Sequence, residues 1–370
     1  MSKAAELANL IGNINAGGGG VNRNVIINGA MQVAQRSTSE TNPGGGYNVI
    51  DRFRISQNGG GLGNFTEAQV ADAPSGSGLT NSLKFTKSGS TSIASGTTAF
   101  FQQNIEGQNL QHLKYGTSSA LPVTASFYVK SSLTGTFGIN LEQNGNSRHN
   151  VQTYTISSAN TWELKSVTFV GDTASALAND NTNELSLRFV LGAGSDYQTS
   201  STNTWAAGDK HTTSSQVQLV ETDGATFFLT GVQLEVGQNP TSFEHIPFEK
   251  ELLSCRRYYH KIDSSDSIYQ RLGQGQAYSN DDALLFFHHV PEMRGIPTLD
   301  HGTLDNLAVG LSGLTAKSMG SLTIDTNTDG ANTTCLIAGD VTDDGLSAGN
   351  VVQIFSNNNS NGYIAFKAEL

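Results

Sequence analysis

The sequence predicts an all-β chain built as a β-sandwich followed by a smaller β-rich domain, with a short N-terminal helix and a linking helix. Three observations predict it. Only 14% of the 370 residues are charged, and 41 are glycine. Charged helix formers are therefore scarce and turn formers abundant, a balance that favours strands over helices. Second, short apolar runs recur along the chain between clusters of Gly, Asn, Ser and Asp, as in a sandwich. Third, Val123, Ala125, Phe127 and Val129 alternate with Thr124, Ser126, Tyr128 and Lys130. That period of two predicts a strand whose odd residues face a core.

Residues 1–20 read as a helical anchor and linker. Ser2 is a fitting N-cap, and Leu7, Leu10, Ile11 and Ile14 fall at i, i+3, i+4 and i+7, one helical stripe. A helix this short is marginal alone, so the stripe is expected to contact an oligomer partner or an anchor. Gly17 to Gly20 follow as a flexible tether. No Gly-Lys-Ser/Thr follows them, so they do not form a phosphate loop.

Residues 21–245 read as the main sandwich. Strands are expected at Val25–Ile27, Phe53–Ser56, Leu83–Thr86, Phe100–Ile105, Val123–Lys130, Phe137–Glu142, Val151–Ile156, Glu163–Val170, Leu185–Leu191, Val217–Val220 and Ala225–Val236. The last begins apolar on both faces and ends with only Val232, Leu234 and Val236 apolar, so it is expected to run from mid-sheet to a rim. Between Gly192 and Ser215 lies a long polar loop holding Tyr197 and Trp205, the candidate ligand-binding residues. An aromatic ring suits the C–H face of a pyranose, with Asn and Gln to bond its hydroxyls. Tyr47, Tyr154 and Trp162 share that chemistry, but Trp162 reads better as a packing residue.

Residues 246–262 read as a linking helix. Pro247 suits its first turn, and Phe248, Leu252, Cys255, Tyr259 and Ile262 keep one face. Acidic residues open it and basic ones close it, as its dipole favours. Residues 263–370 read as the smaller β-domain, with strands near Ala283–Val290, Val309–Ser318, Ser321–Asp325, Asn332–Ile337, Val351–Phe355 and Gly362–Ala368. Asp325, Asn327, Asp329 and Gly330 imitate half a calcium loop. The twelfth position is Leu336 where glutamate belongs, so a hairpin turn is expected. His288 and His289 are adjacent on a strand and point to opposite faces, which a single ion cannot use.

The net charge of −11 and the lack of a basic run argue against nucleic acid. No apolar run reaches membrane-spanning length, and the N-terminus carries no apolar run of secretory type. Cys255 and Cys335 lack redox or metal spacing and are expected as buried thiols, which suits a reducing compartment. No nucleophile motif is present, and no catalytic residue, metal or cofactor is expected. Glu106, Glu142, Glu163 and Glu235 are the carboxylates to inspect for sugar hydrolysis.

The run Phe228-Leu229-Thr230-Gly231-Val232-Gln233-Leu234-Glu235-Val236-Gly237, then Phe243-Glu244 and Cys255-Arg256-Arg257-Tyr258-Tyr259, resembles the end of a β-sandwich domain in bacteriophage tail-fibre and virion appendage proteins. Upstream matches agree in order: Asn28-Gly29 through Gln35-Arg36, Asp51-Arg52-Phe53, Val123 to Lys130, Thr161-Trp162-Glu163, and Leu191 to Gly194. Ala34 departs from the pattern, standing where such proteins carry tryptophan. The resemblance spans residues 22–262 and implies a carbohydrate-binding-like jelly roll. It implies a tail fibre or receptor-binding appendage that binds host surface glycan, assembles in the host cytoplasm as a homotrimer, and meets other virion proteins through its N-terminal segment. A capsid decoration or head-fibre protein and a polysaccharide depolymerase are the alternatives.

Overall fold

The computed structural model describes residues 2–15, 23–311, 316–326, 330–342 and 346–370. The chain forms two compact units, one reaching to Glu251 and including Leu370, the other Leu252–Glu369.

The first unit opens with α1 (Lys3–Asn15), where the Ser2 hydroxyl accepts the Ala5 amide at 3.3 Å, as an N-cap should. Leu7 and Ile11 are 57% and 49% exposed. The side chains of Leu10 and Ile14, and the tether at Gly17 to Gly20, lie outside the described residues.

The strands of this unit are β1 (Ser39–Thr41), β2 (Arg54–Asn58), β3 (Asn64–Val70), β4 (Ser82–Ser88), β5 (Thr98–Glu106) and β6 (Val123–Ser131). There follow β7 (Gly135–Gln143), β8 (Arg148–Ile156), β9 (Glu163–Phe169), β10 (Asn183–Ala193), β11 (Trp205–Ala207) and β12 (Thr226–Val236). They make a jelly-roll-like sandwich of two antiparallel six-stranded sheets. One runs β1-β3-β4-β12-β6-β9, the other β11-β8-β7-β10-β5-β2. Phe127 from the first sheet meets Phe189 from the second edge-on at 4.9 Å, and Phe137 packs on Phe227 the other way across. Val123, Ala125, Phe127 and Val129 are all buried in this core, as their alternation requires.

β12 follows its sequence reading in pairing but not in burial. It has β4 beside it only over Thr226–Leu229 and runs on to Val236 against β6 alone, so it passes from mid-sheet to an edge, yet both its faces stay buried from Phe227 onward. Gln233 and Glu235, on its polar face, are covered by the segment after the strand: Thr241 donates to Glu235, and the Glu244 amide to Gln233. Val25–Ile27 is not a strand, although the Val25 amide donates to the Leu234 carbonyl. Val217–Val220 is not one either, and a single 3₁₀ turn occupies Leu219–Glu221.

A bulge interrupts β12 against β6 between Thr230 and Gln233. Gly231 sits there at φ +60°, and a Cβ would lie 2.8 Å from Leu79 and 3.0 Å from the Tyr128 ring. Left-handed backbone costs an L-residue about 1–2 kcal/mol. Gly231→Ala is accordingly expected to lose about that much stability and to shift a urea midpoint downward. An unchanged midpoint would remove the glycine's conformational role.

The second unit takes in most of α2 (Phe248–Arg256), then β13 (Tyr259–Asp263), β14 (Arg271–Ala277), β15 (Ala283–His288), β16 (Thr298–His301), β17 (Leu307–Leu311), β18 (Ser321–Ile324), β19 (Thr333–Gly339), β20 (Val351–Ser356) and β21 (Tyr363–Lys367). These form a three-stranded sheet, β13-β21-β16, and a six-stranded one, β17-β20-β14-β15-β19-β18. Phe366 from the first and Phe287 from the second meet at 5.1 Å in the core they share. The helix expected to reach Ile262 stops at Arg256. Tyr258 and Tyr259 are both buried, and residues 259–263 pair with β21, so inter-strand hydrogen bonds and two-sided burial replace the last helical turns. Cys255 and Cys335 are free and buried. The expected turn at residues 327–329 lies outside the described residues. Among the described residues no helix is long and apolar enough to cross a membrane.

Candidate functional site

On the face of the second sheet turned away from the core, strand register decides which side chains share a surface. Arg54 pairs with Gln102, Gln102 with Arg188, and Arg188 with Asn140, giving one polar row across β2, β5, β10 and β7. The neighbouring row carries Ser56 and Phe100, and the other Asn104, Ser186, Glu142 and His149. The interleaved residues Ile55, Phe101, Leu187 and Phe189 fill the core. A trough of about 270 Å³ runs over this face, lined by Arg54, Ser56, Asn58, Gln102, Arg188 and His211 among others.

Its end wall is the long polar loop, which is pinned rather than loose. Within it, β11 pairs with β8, and the Asn140 side chain donates to the His211 carbonyl at 3.0 Å; just past its end, Gln216 accepts the Gly138 amide at 2.6 Å. Arg188 is the hinge of this arrangement. Its guanidinium pairs with Glu142, donates to Asp209 at 3.1 Å and to Gln102 at 3.1 Å, meets His211 Nε2 at 3.0 Å, and lies over the Phe100 ring at 4.7 Å. Burial lowers the Arg188 pKa to about 10, with Asp209 acting against it. Burial pushes the Asp209 carboxyl up, but its bond to His211 and the Arg188 charge hold it below the ordinary value. Burial also lowers the His211 pKa, the Asp209 bond opposing it.

Glu142, Asp209 and His211 bring three donor atoms close enough for one metal ion. Arg188 Nη1 touches all three, so a guanidinium already supplies the positive charge there.

The two candidate ligand residues do not share a surface. Tyr197 does not line the trough but backs two residues that do: its ring stacks on His211 at 4.9 Å, and its hydroxyl accepts from Asn58 at 2.8 Å. Trp205 turns inward. Its register partner is Asn150, its indole N–H donates to the Val170 carbonyl at 2.7 Å, and its ring meets Tyr115 edge-on. Tyr154 lies in the core. Tyr47 lies under the guanidiniums of Arg36 and Arg52. Trp162 is a packing residue, donating to Asp72 at 3.0 Å with Lys130 above its ring. Asp51 is internal too, accepting from Gln35 and facing Arg36 at 3.6 Å, while Arg52 donates to the Asn104 carbonyl. His288 and His289 take separate partners, Thr333 and Thr334.

Sequence reasoning passed over Arg54, Arg188, Asp209 and His211. The signal was present in Glu184, Ser186 and Arg188, which interleave with Leu185, Leu187 and Phe189 along one strand. A charge in the middle of an alternating strand marks an outward face with a partner to find.

No protein-family model and no curated protein sequence matches the chain. Among solved structures, an alignment with the enzymatically active domain of bacteriophage CBA120 tailspike protein 4 covers 58% of this chain and 21% of the tailspike chain, at 13% identity and a TM-score of 0.32. TmCBM61, solved in complex with β-1,4-galactotriose, is covered over 99% of its length by 58% of this chain, at 11% identity and a TM-score of 0.30. The N-terminal cellulose-binding domain of Cellulomonas fimi β-1,4-glucanase C is covered in full by 56% of this chain, at 15% identity and a TM-score of 0.27.

Proposed function

We propose that the chain is a receptor-binding appendage or tail fibre of a bacteriophage virion, and that it attaches to glycan on the host surface. The observation that carries the glycan reading is the trough, where planar hydrogen-bonding side chains stand in register across several strands of a rigid sheet. Arg54, Asn58 and Gln102 line it with hydrogen-bonding groups of the kind that sugar hydroxyls meet, and Tyr197 backs Asn58. The appendage reading rests on the ordered sequence matches. A homotrimer agrees with α1, whose Leu7 and Ile11 are exposed and fit a seam between copies, and linked copies would multiply weak single sites.

Attachment is proposed without cleavage. The four carboxylates singled out for hydrolysis have internal partners: Gln108 for Glu106, Arg188 for Glu142, Lys165 for Glu163 and Thr241 for Glu235. Asp209 beside Glu142 is held below the ordinary carboxylate value, which leaves it poorly suited to donate a proton.

Affinity electrophoresis against a panel of bacterial surface polysaccharides tests the reading. At least one polymer should retard the protein, and Arg54→Ala should weaken that binding about tenfold, the loss of one charged hydrogen bond. Free migration through every polymer would sink the glycan reading in favour of a structural role in the particle. Shortened polymer would make the protein a depolymerase.

A further inference from the structure

The opposite face of the same sandwich holds a second cleft of about 480 Å³, roomier than the trough and bordered by Tyr128, Leu164, Phe243 and His245. We propose that it is a second binding site, and that it takes a pyranose unit of a neutral saccharide.

Its floor is set by register. Tyr128 pairs with Leu164 and Ser126 with Ser166 across β6 and β9, so an aromatic ring, a 57% exposed leucine and two hydroxyls lie side by side. The ring is held against the β12 bulge, where Gly231 leaves room for it. The facing wall is the segment 240–245, in which Phe243 and His245 meet edge-on at 5.1 Å. His245 in turn lies against Gly78, where a Cβ would come within 3.0 Å of the imidazole.

This wall is fixed from beneath by buried groups. Glu235 accepts the Thr241 amide and hydroxyl, both at 2.7 Å, and Gln233 accepts the Glu244 amide at 2.8 Å. The buried polar face of β12 thus serves to hold the wall in place. A preformed cleft with aromatic sides and hydroxyl edges matches a sugar ring, whose C–H faces stack and whose rim hydrogen-bonds. Charge selects the neutral class. Lys165 is paired with Glu163, and Glu6 of α1 is the one carboxylate among the described residues lining the cleft, so an anionic sugar gains no counter-charge.

The ligand class rests on the glycan reading above, whereas the cleft stands on its own geometry. Hydrogen–deuterium exchange with a pool of neutral cello-, xylo- and galacto-oligosaccharides tests both at once. Protection is expected in peptides covering residues 126–128 and 240–245, and separately in those covering the trough at residues 54–58. His245→Ala, at an exposed position, should remove the first without the second, as should Tyr128→Ala. Arg54→Ala should do the reverse. Protection confined to the trough would overturn the cleft and leave the proposed function intact. Protection confined to the cleft would uphold this inference and remove the trough as the binding surface. Protection at neither would overturn the glycan class for both.

Discussion

Arg188→Ala is expected to lower the stability of the first unit by about 3–5 kcal/mol, the usual loss when one partner of a buried ion pair is removed. The side chains of Arg188 and Glu142 are only 9% and 12% exposed, so the glutamate would stay behind with its charge uncompensated. Asp209 and Gln102 would lose their donor, and the loop's grip on the sheet would weaken. For a unit of this size the loss corresponds to a fall of about 10 °C in Tm. The deficit should shrink in acid. Asp209 has a depressed folded-state pKa in the native protein, so its contribution is present above the ordinary carboxylate value and lost as pH falls. Calorimetry at neutral and acid pH would read both effects. A neutral-pH loss below about 1 kcal/mol would mean that the network is not the anchor of the loop.

Glu67→Gln should act in the opposite direction, stabilising the protein at pH 7 by about 3 kcal/mol. Glu67 is fully buried on β3, and its Oε1 has no hydrogen-bond partner. Burial raises its pKa from 4.5 to about 8, against a hydrogen bond from Asn48 and the Arg36 charge. The folded protein therefore keeps a proton that the unfolded chain releases. Stability is fullest below about pH 4.5 and declines as pH climbs toward 8. At pH 7 the group stands about 2.5 pH units above its unfolded value, and each unit is worth about 1.4 kcal/mol. Glutamine can still accept from Asn48 and carries no ionisable group. The gain should vanish near pH 4, and urea titrations of both proteins across this range would show it. Equal stability at pH 7 would mean that water or a rearrangement relieves the carboxyl.

Glu67 also shows why part of the fold was illegible. In β3 the inward positions are Phe65 and Glu67, so the apolar period is broken by a charged residue and the strand passes unnoticed. β14 hides for another reason, since Gly273 and Gly275 dilute its pattern. β11 and β16 are too short to carry a period at all. Where alternation is clean, as in β6 or β10, the strand stands close to its expected bounds.

The candidate site divides in the same way. Tyr197 stood out in the sequence because a long polar loop holding aromatics is a recognisable object, and the structure places it behind the trough, bonded to Asn58. Trp205, in the same loop, looked equivalent, yet three residues of pairing with β8 turn its ring toward the core. The helical stripe through Cys255 pointed onward to Tyr259, but β21 offered a ladder there that no local pattern announces.

By itself the sequence determined what local chemistry controls: the all-β class, the bulk of the strands, the capped N-terminal helix and the free thiols. These follow from period, turn residues and composition, all read within a few residues. Tertiary structure alone decided which residues meet. Arg54, Gln102 and Arg188 are scattered through the chain and become a row because antiparallel register places them opposite one another. Tyr128, Gly231 and His245 likewise become one cleft only when distant strands close the sheet. Register is a long-range property, fixed by the burial of a whole face at once, and no short window of sequence contains it.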